Sequence, residues 1–458
     1  MKVVKFGGSS LADATQFEKI IQIIQQDPER RAIVVSAPGT RFKGDIKVTD
    51  LLIQYSEAVK NQVAVADLQA EIIARYQNIA EHFNVPAAVM DHIQAVIRDL
   101  ATQTYPDYAH QLATFKAHGE YLNAYLLSQI LIKLGLPAQF MDPKEIGFNV
   151  AGPVNDAHVT DDTYDHLATY RDNPDYLVFP GFFGMNEADG TIATFSRGGS
   201  DITGSIVAKG LHAEVYENFT DVNAIYSVDP HIVSQPKGIQ TMTYREMREL
   251  SYAGFSVFHD EALLPAIDAQ IPINVKNTNQ PDLPGTLIVP EKGFKPKGFI
   301  TGVASSKGFS ALYLHRYLLN KEVGFTLKLL QILYKYGISY EHMPSGIDDL
   351  TIIFDNQQLT PQKVKAMCND IRNELHPDQL EWIDHYAIIM IVGEGMQLSP
   401  NTIEKIIRPL TDHNINIHMI NEGASKISIM LGTDEADAQK SVKLIYQHFF
   451  DNNRIFNY

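Results

Sequence analysis

The sequence predicts an α/β protein in which a mostly parallel sheet, sandwiched by helices, is followed by two ferredoxin-like βαββαβ units. Three observations lead there. Apolar β-branched runs alternate with amphipathic helical patterns over roughly the first 300 residues, the order expected of a parallel sheet covered by helices. A stretch rich in proline, glycine and lysine at residues 284–298 then interrupts the pattern. Beyond it the chain repeats itself, because a shift of 77 residues lays the segment around Ile338 on the one around Ile415.

The elements follow in order. Met1-Lys2-Val3-Val4-Lys5-Phe6-Gly7-Gly8 reads as a short strand entering a glycine turn. It lacks the long apolar core and cleavage site of a signal peptide. Short buried strands are expected at Ala32–Val35, Tyr176–Phe179, Glu214–Asn218 and Ile273–Lys276. Between Thr49 and Gly135 the pattern turns almost wholly helical, with Leu51, Leu52, Tyr55 and Val59, then Ile93, Val96, Ile97 and Leu100, at helical spacing. This insertion reads as a lid or a dimer surface, with plain packing as the alternative. Pro284-Gly285 opens a last strand, Thr286–Val289, before the linker. In the repeat, Leu329, Leu330 and Leu333 overlay Ile406, Ile407 and Leu410, and Leu350 to Phe354 overlay Ile427 to Leu431. The expected division is 1–290 for the first domain, 291–298 for the linker, and 299–384 and 385–458 for the two repeat units.

Composition sets the outer limits. A chain of 458 residues exceeds one ordinary core, so two or three domains are expected. A formal charge of -16 argues against nucleic-acid binding, which relies on a basic field, and requires any anion site to be locally basic or rich in amides. The single cysteine, Cys368, excludes an intrachain disulfide and any cysteine-based zinc cluster, and reads as a small core residue. Apolar runs such as Ala387 to Val392 are too short to span a bilayer, so a soluble cytoplasmic protein is expected, with no membrane partner.

Two glycine turns carry chemistry. Lys5-Phe6-Gly7-Gly8-Ser9-Ser10 joins a strand to a helix beginning near Ala12. Adjacent glycines admit an anion close to the backbone, helix-start amides point at it, and the lysine adds mobile positive charge. Taken alone, the segment reads rather as a structural strand-to-helix turn, since glycine turns are common. Ser196-Arg197-Gly198-Gly199-Ser200-Asp201 repeats the device ahead of a helix at Ile202–Lys209. Here Arg197 offers bidentate geometry for a carboxylate or phosphate, whereas Asp201 also suits a plain helix start. Two such loops in one domain favour phosphoryl transfer. A Walker-type loop is absent, and Gly393-Glu394-Gly395 lacks the third glycine of a dinucleotide fingerprint.

Six segments, taken in order, resemble the aspartokinases of the amino acid kinase superfamily. They are Lys5 to Ser10, Thr49-Asp50-Leu51-Leu52, His118-Gly119-Glu120, Gly181-Phe182-Phe183-Gly184, Arg197 to Asp201, and Thr220-Asp221-Val222 with Ile225-Tyr226 and Asp229-Pro230. The terminal repeat resembles that family's tandem ACT domains. The resemblance implies an amino acid kinase-like catalytic domain that moves the γ-phosphoryl group of ATP onto the β-carboxylate of L-aspartate. Lys5 would neutralise the transferring phosphoryl group, helped by the amides of Gly7, Gly8 and Ser9. Thr49, Glu120, Arg197 and Ser200 would hold aspartate, Arg197 by its α-carboxylate and Glu120 by its ammonium. Asp201 would position the site through Lys5. Thr220, Asp221, Tyr226 and Asp229 would meet the nucleotide, and Lys276 would reach it from a strand end. No general base is needed, since the aspartate carboxylate, with a reference pKa of ~3.9, is already ionised. Mg²⁺ is expected to ride mainly on the ATP phosphates, with no dedicated protein metal site.

The chain departs from the family pattern at Ser196, His231 and Ser256, which removes two cations expected near the nucleotide, with Lys276 or Lys237 as candidate substitutes. The ACT resemblance implies feedback by an amino acid, lysine first and threonine second, and a homodimer through these domains or a pair of dimers. Candidate effector contacts are Gly324 and Phe325 at a helix start, and Glu341, His342, Met343, Ser345 and Asp348 at the facing strand end. The competing readings are a kinase for glutamate, N-acetylglutamate, carbamate or UMP, and a non-catalytic amino-acid sensor. A fusion with homoserine dehydrogenase does not fit the length.

Overall fold

In the computed structural model, residues 1–196, 198–255 and 260–451 are described. The chain divides into two compact units. One comprises Met1–Ile225, Gly238–Met247 and Ser256–Phe294, and the other Tyr226–Lys237, Arg248–Phe255 and Lys295–Tyr458.

The first unit opens with β1 (Lys2–Phe6), a single 3₁₀ turn at Gly8–Leu11, α1 (Ala14–Gln26) and β2 (Arg30–Val35). Asp13 caps α1 by accepting from the Gln16 amide at 3.0 Å, and Phe17, Ile20, Ile21 and Ile24 bury one face of it. Four helices follow: α2 (Val48–Lys60), α3 (Ala66–His82), α4 (Ala87–Asp99) and α5 (Tyr108–Lys133). Leu51, Leu52, Tyr55, Ile93 and Ile97, at the helical spacing seen in the sequence, are fully buried in the core these helices share with α1 and the sheet. The chain continues through β3 (Ala138–Phe140), β4 (Asn149–Ala151), β5 (His158–Val159), α6 (Asp161–Ala168), β6 (Tyr176–Pro180), β7 (Phe183–Asn186) and β8 (Ile192–Thr194). Then come α7 (Gly199–Gly210), β9 (Val215–Thr220), β10 (Thr241–Thr243), α8 (Tyr244–Tyr252), α9 (Leu264–Asp268), β11 (Ile273–Asn277) and β12 (Thr286–Val289).

Among the described residues, eight strands form the main sheet in the order β10-β12-β11-β9-β1-β2-β6-β3. From β11 to β3 every pairing is parallel, and only β11 with β12 runs antiparallel. The loops after β1, β2, β6, β9 and β11 therefore leave from one edge, the carboxyl edge at which open α/β sheets bind ligands. Strands β4, β5, β7 and β8 make a small separate sheet.

The second unit contains β13 (Gly302–His315), α10 (Phe325–Lys335), β14 (Asp349–Asp355), α11 (Pro361–Leu375), β15 (Gln379–Val392), α12 (Thr402–Thr411), β16 (Ile417–Glu422), β17 (Ser428–Asp434) and α13 (Ala438–Tyr446). Its sheet runs β14-β13-β15-β17-β16. The two repeats are present but interleaved. Phe309–His315 lies between β14 and the first half of β15, whereas Gly302–Ser306 pairs with Ile388–Val392 in the second half. Residues 302–306 thus complete the second repeat rather than open the first, a departure from a strictly tandem 299–384 and 385–458. Residues 226–237, expected within 1–290, group here because Val228, Ile232 and Val233 pack with Ile300, Val303 and Met396. Residues 248–255 belong to this unit as well. No helix among the described residues is long and apolar enough to cross a membrane.

One buried ion pair ties the amino half of the first unit's sheet. Arg30 donates to both Glu217 oxygens, at 2.6 and 3.1 Å, and to the Ile23 carbonyl at 2.6 Å, with both charged side chains under a tenth exposed. Removing one partner of such a pair strands the other charge. Glu217→Ala is expected to cost about 3–5 kcal/mol, read as a lower denaturant midpoint for amide exchange in β1, β2 and β9. The double replacement Arg30→Met with Glu217→Leu is expected to recover part of that loss.

Candidate active site

The carboxyl edge of the first unit's sheet is assembled around Lys5. On β1, Lys5 lies in register with Asn218 of β9, and both face α7. The Lys5 ammonium sits 2.7 Å from an Asp201 oxygen, and the same oxygen accepts from the Asn218 amide at 2.6 Å. Asp201 is held in turn through its backbone carbonyl, which accepts from the Tyr216 hydroxyl at 3.3 Å. Helix α7 begins after Gly198, whose φ of 77° suits glycine. Ser200 lies against the end of β6, where a β-carbon on Gly181 would be 2.7 Å from its hydroxyl. Arg197 lies outside the described residues.

The Gly7-Gly8 turn follows β1 directly. Gly7 donates to the Phe219 carbonyl at 3.2 Å, and the Ser10 hydroxyl meets that of Thr278 at 2.7 Å. Gly8 and the exposed Ser9 begin a 3₁₀ turn, so their amides precede any intrahelical acceptor and are available to an anion. Gly8 is clamped from the far side by Gly39, whose amide donates to the Gly8 carbonyl at 2.8 Å. A β-carbon on Gly39 would lie 2.6 Å from that carbonyl oxygen, so no side chain fits.

Glu120 projects from α5 with 6% exposure. It accepts from the backbone of Ala37, yet its Oε2 atom has no hydrogen-bond partner among the described residues. Burial pushes its carboxyl up to about 8, opposed by that backbone bond and by the charges of Lys116 and Lys5. A buried acid with a free oxygen, within electrostatic reach of Lys5, suits an incoming cationic group. Thr49 stands partly exposed in the first turn of α2, whose start is fixed by Val48 donating to the Pro38 carbonyl at 3.1 Å.

The nucleotide candidates separate. Thr220 and Asp221 end β9 beside Asn277, whose side chain donates to the Asp221 carbonyl at 3.3 Å and to Asn223 at 2.6 Å. Tyr226 and Asp229 belong to the second unit, where Asp229 accepts from the His231 amide at 2.8 Å and meets its ring at 2.9 Å. Ser256 lies outside the described residues. Lys276 departs from expectation. It is in register with Phe219, and its amine lies 5.8 Å from the Phe219 ring centroid, under the influence of Glu217, Arg30 and Lys2. Side chains alternate along a strand, so Lys276 occupies the face opposite Lys5. Burial holds its ammonium below the usual lysine range.

The effector candidates lie in the second unit. Gly324 caps α10 with φ 82° and open space around it. Phe325 is a core residue, 1% exposed, packed among Leu312, Leu329 and Phe354. Glu341, His342, Met343 and Ser345 form an outer ribbon beside β14, tied by His342–Ile353 and Ser345–Leu350 bridges. Met343 packs against the same core. Glu341 accepts from the Tyr252 hydroxyl, and the His342 ring meets that hydroxyl at 3.4 Å. Burial lowers the His342 imidazole below its ordinary value. Asp348 is committed to its own loop, accepting from the Leu318 amide at 2.8 Å.

The sequence contained no signal for several of these contacts. Ala37, Gly39 and Asn218 sit in no motif: strand register places Asn218 beside Lys5, and the turn after β2 places Ala37 beside Glu120 and Gly39 beside Gly8.

Comparisons with known proteins bear on the family and the fold. The Amino acid kinase family profile matches residues 1–277, and an ACT domain profile matches residues 389–449. Aspartokinase 3 of Bacillus subtilis is 44% identical over 450 residues, covering 98% of this chain and 99% of its own. The crystal structure of Clostridium acetobutylicum aspartate kinase superimposes with a TM-score of 0.87 at 38% identity, covering 98% of this chain and all of that one. E. coli aspartokinase III, solved with aspartate and ADP and again with lysine and aspartate, shares the fold with a TM-score of 0.72. Those two structures are 23% and 24% identical to the chain, cover 98% of it, and are themselves covered to 100% and 99%. The chain belongs to the amino acid kinase family and, within it, to the aspartokinases.

Proposed function

We propose that the chain transfers the γ-phosphoryl group of ATP to the β-carboxylate of L-aspartate, giving 4-phospho-L-aspartate, the step that opens lysine, threonine and methionine biosynthesis. The observation that carries this is the pairing of Lys5, locked to Asp201 and Asn218, with a buried Glu120 that keeps one oxygen free. The free oxygen accepts the substrate ammonium. Thr49 and Ser200 contact the rest of the amino acid, and Arg197 takes its α-carboxylate. Lys5 lies over the transferring phosphoryl group and the amides of Gly7, Gly8 and Ser9 surround it, so charge that develops in transfer meets donors already in place. Asp201 keeps the Lys5 ammonium aimed. Thr220 and Asp221 meet the nucleotide.

Mg²⁺ suits this site as a passenger of ATP, an ion that keeps several waters and binds mainly through substrate phosphates, and one Asp201 oxygen is already shared by Lys5 and Asn218. When bound, the ion would supply charge neutralisation at the phosphates. No base is required, because the attacking carboxylate is already ionised.

Regulation belongs to the C-terminal repeats, with the catalytic part in 1–290 and the effector part beyond the 291–298 linker. Lysine is the favoured effector and threonine the second. The carboxylate of Glu341 suits a cationic side chain, and E. coli aspartokinase III has been solved with lysine. Two chains paired through their ACT surfaces form the working assembly, with a pair of dimers as the larger alternative.

Hydroxylamine trapping of the acyl phosphate, with Mg-ATP and aspartate or glutamate as parallel substrates, tests the reaction. Aspartate-dependent hydroxamate is expected, and its absence with every amino acid would leave only a sensor. Lys5→Met and Asp201→Asn are each expected to lower kcat by roughly 10²-fold or more in folded protein. The pH dependence follows from Glu120, which in the free protein keeps its proton up to about 8 and must lose it to pair with the ammonium. The KM for aspartate is therefore expected to fall as pH rises from 7 through 8, with a proton released on binding. Glu120→Gln is expected to raise KM and flatten that profile. For the effector, Glu341→Gln is expected to raise the half-inhibitory lysine concentration by about tenfold, the loss of one charge-assisted contact.

A further inference from the structure

The helical insertion contains a buried charge that phosphoryl transfer itself does not use. Arg75 of α3 is 3% exposed. Its guanidinium donates to the Gly39 carbonyl and, at 2.8 Å, to the Ile46 carbonyl, and lies 3.3 Å from Asp45. Asp45 is itself gripped by Arg41, which donates from two nitrogens at 2.9 Å each. These contacts close the loop 39–47 on itself. Both ends of that loop touch the proposed site. Gly39 abuts the Gly8 backbone, and Thr49 stands two residues beyond Lys47, the cap of α2. The next residue on α3 reaches the other wall, since the Tyr76 hydroxyl donates to the Gly119 carbonyl at 3.0 Å, one residue before Glu120.

We propose that Arg75 is a positioning residue for the reaction, acting with Asp45 to hold the Gly39–Thr49 loop against the phosphate turn. This rests on the function proposed above. Burying a guanidinium costs several kcal/mol, which two carbonyls and a carboxylate offset in part, since its Nε has no hydrogen-bond partner among the described residues. The return is a loop with one geometry. Gly39 has nothing but backbone contacts to locate it, so its carbonyl is the only handle on its position other than its amide. The strong preference of Asp45 for the ionised form, held well below the usual carboxylate range mainly by its hydrogen bond to Arg41, keeps the clamp closed across the working pH range. On this account the insertion is a brace for the site.

Arg75→Met, Arg75→Lys and Asp45→Asn test the assignment in the full chain, with two independent readouts. In hydroxamate kinetics, Arg75→Met is expected to lower kcat and raise the aspartate KM, together about 10²-fold in kcat/KM, the scale of an ångström of misplacement. Added guanidinium ion at low millimolar concentration is expected to restore part of that loss, and Arg75→Lys less than half of it. In hydrogen exchange, amides of 39–49 are expected to quicken while those of β1, β2 and β6 keep their wild-type rates. Faster exchange throughout α3, α4 and α5 with unchanged kinetic constants would overturn the proposal and leave Arg75 a stability residue. If Arg75→Met does not fold, Asp45→Asn decides, with the same two readouts moving in the same direction by a smaller factor. The exchange measurement needs no substrate, so a wild-type protein inactive on aspartate would refute the proposed reaction while the clamp was judged on its own.

Discussion

Four residues after β2 meet the tightest constraint in the first unit, because their backbone groups are shared among the elements that make the site. The Ser36 amide donates to Phe6, and its carbonyl accepts from the Asn123 side chain at 2.7 Å. The Ala37 amide goes to Glu120, the Pro38 carbonyl to Val48, the Gly39 amide to Gly8, and the Gly39 carbonyl to Arg75. Buried backbone groups must be paired, so this turn cannot move without unpairing several of them at once. It fits only because its neighbours have no side chains in the way: a β-carbon on Gly119 would stand 2.7 Å from that of Ala37. The Gly7-Gly8 turn, Glu120 on α5 and the start of α2 before Thr49 are all tied to it.

That constraint allows two carboxylates to behave differently within one site. Asp201 shares a single oxygen between a lysine and an amide, so its negative charge is matched where it stands. Glu120 has a backbone amide but, among the described residues, no cation in contact, and burial favours its protonated form. One acid is bound to Lys5 within the chain, and on the proposed reading the other is completed by the substrate ammonium, so a ligand without an ammonium would leave Glu120 unpaired.

Much of this was legible in the residues. Strand cores such as Ala32–Val35, the helical spacing through Leu51 to Leu100 and the end strand Thr286–Val289 depend on local pattern, and the motifs marked Lys5, Glu120 and Asp201. What escaped depends on pairing between distant segments. Lys276 looked free to reach phosphates until its partner Phe219 was known, and one position of register decides which face it takes. Phe325 stood beside a helix-start glycine, as a ligand residue would, but a helix start also buries its first apolar side chain. Arg75 shares the buried face of its helix with Ile72, Tyr76 and Ile79, a place where the periodic pattern leads one to expect an apolar residue, and its partners come from a loop distant in the chain.

The interleaved sheet of the second unit shows how far such pairing reaches. A tandem arrangement would let each repeat close its own sheet and unfold alone. Here β13 and β15 each pass through both repeats, and their ladder changes register around Ser306, Phe309 and Ala311 on one strand, next to His385, at φ 60°, on the other. A bulge of this kind turns a strand without ending it. The two repeats are thus halves of one hydrogen-bonded sheet. Slipping either by a residue would exchange core for solvent faces along its share of both strands. The Glu341–Ser345 ribbon, bridged to β14, lies on the far side of that irregularity from the strand segment that completes the second repeat.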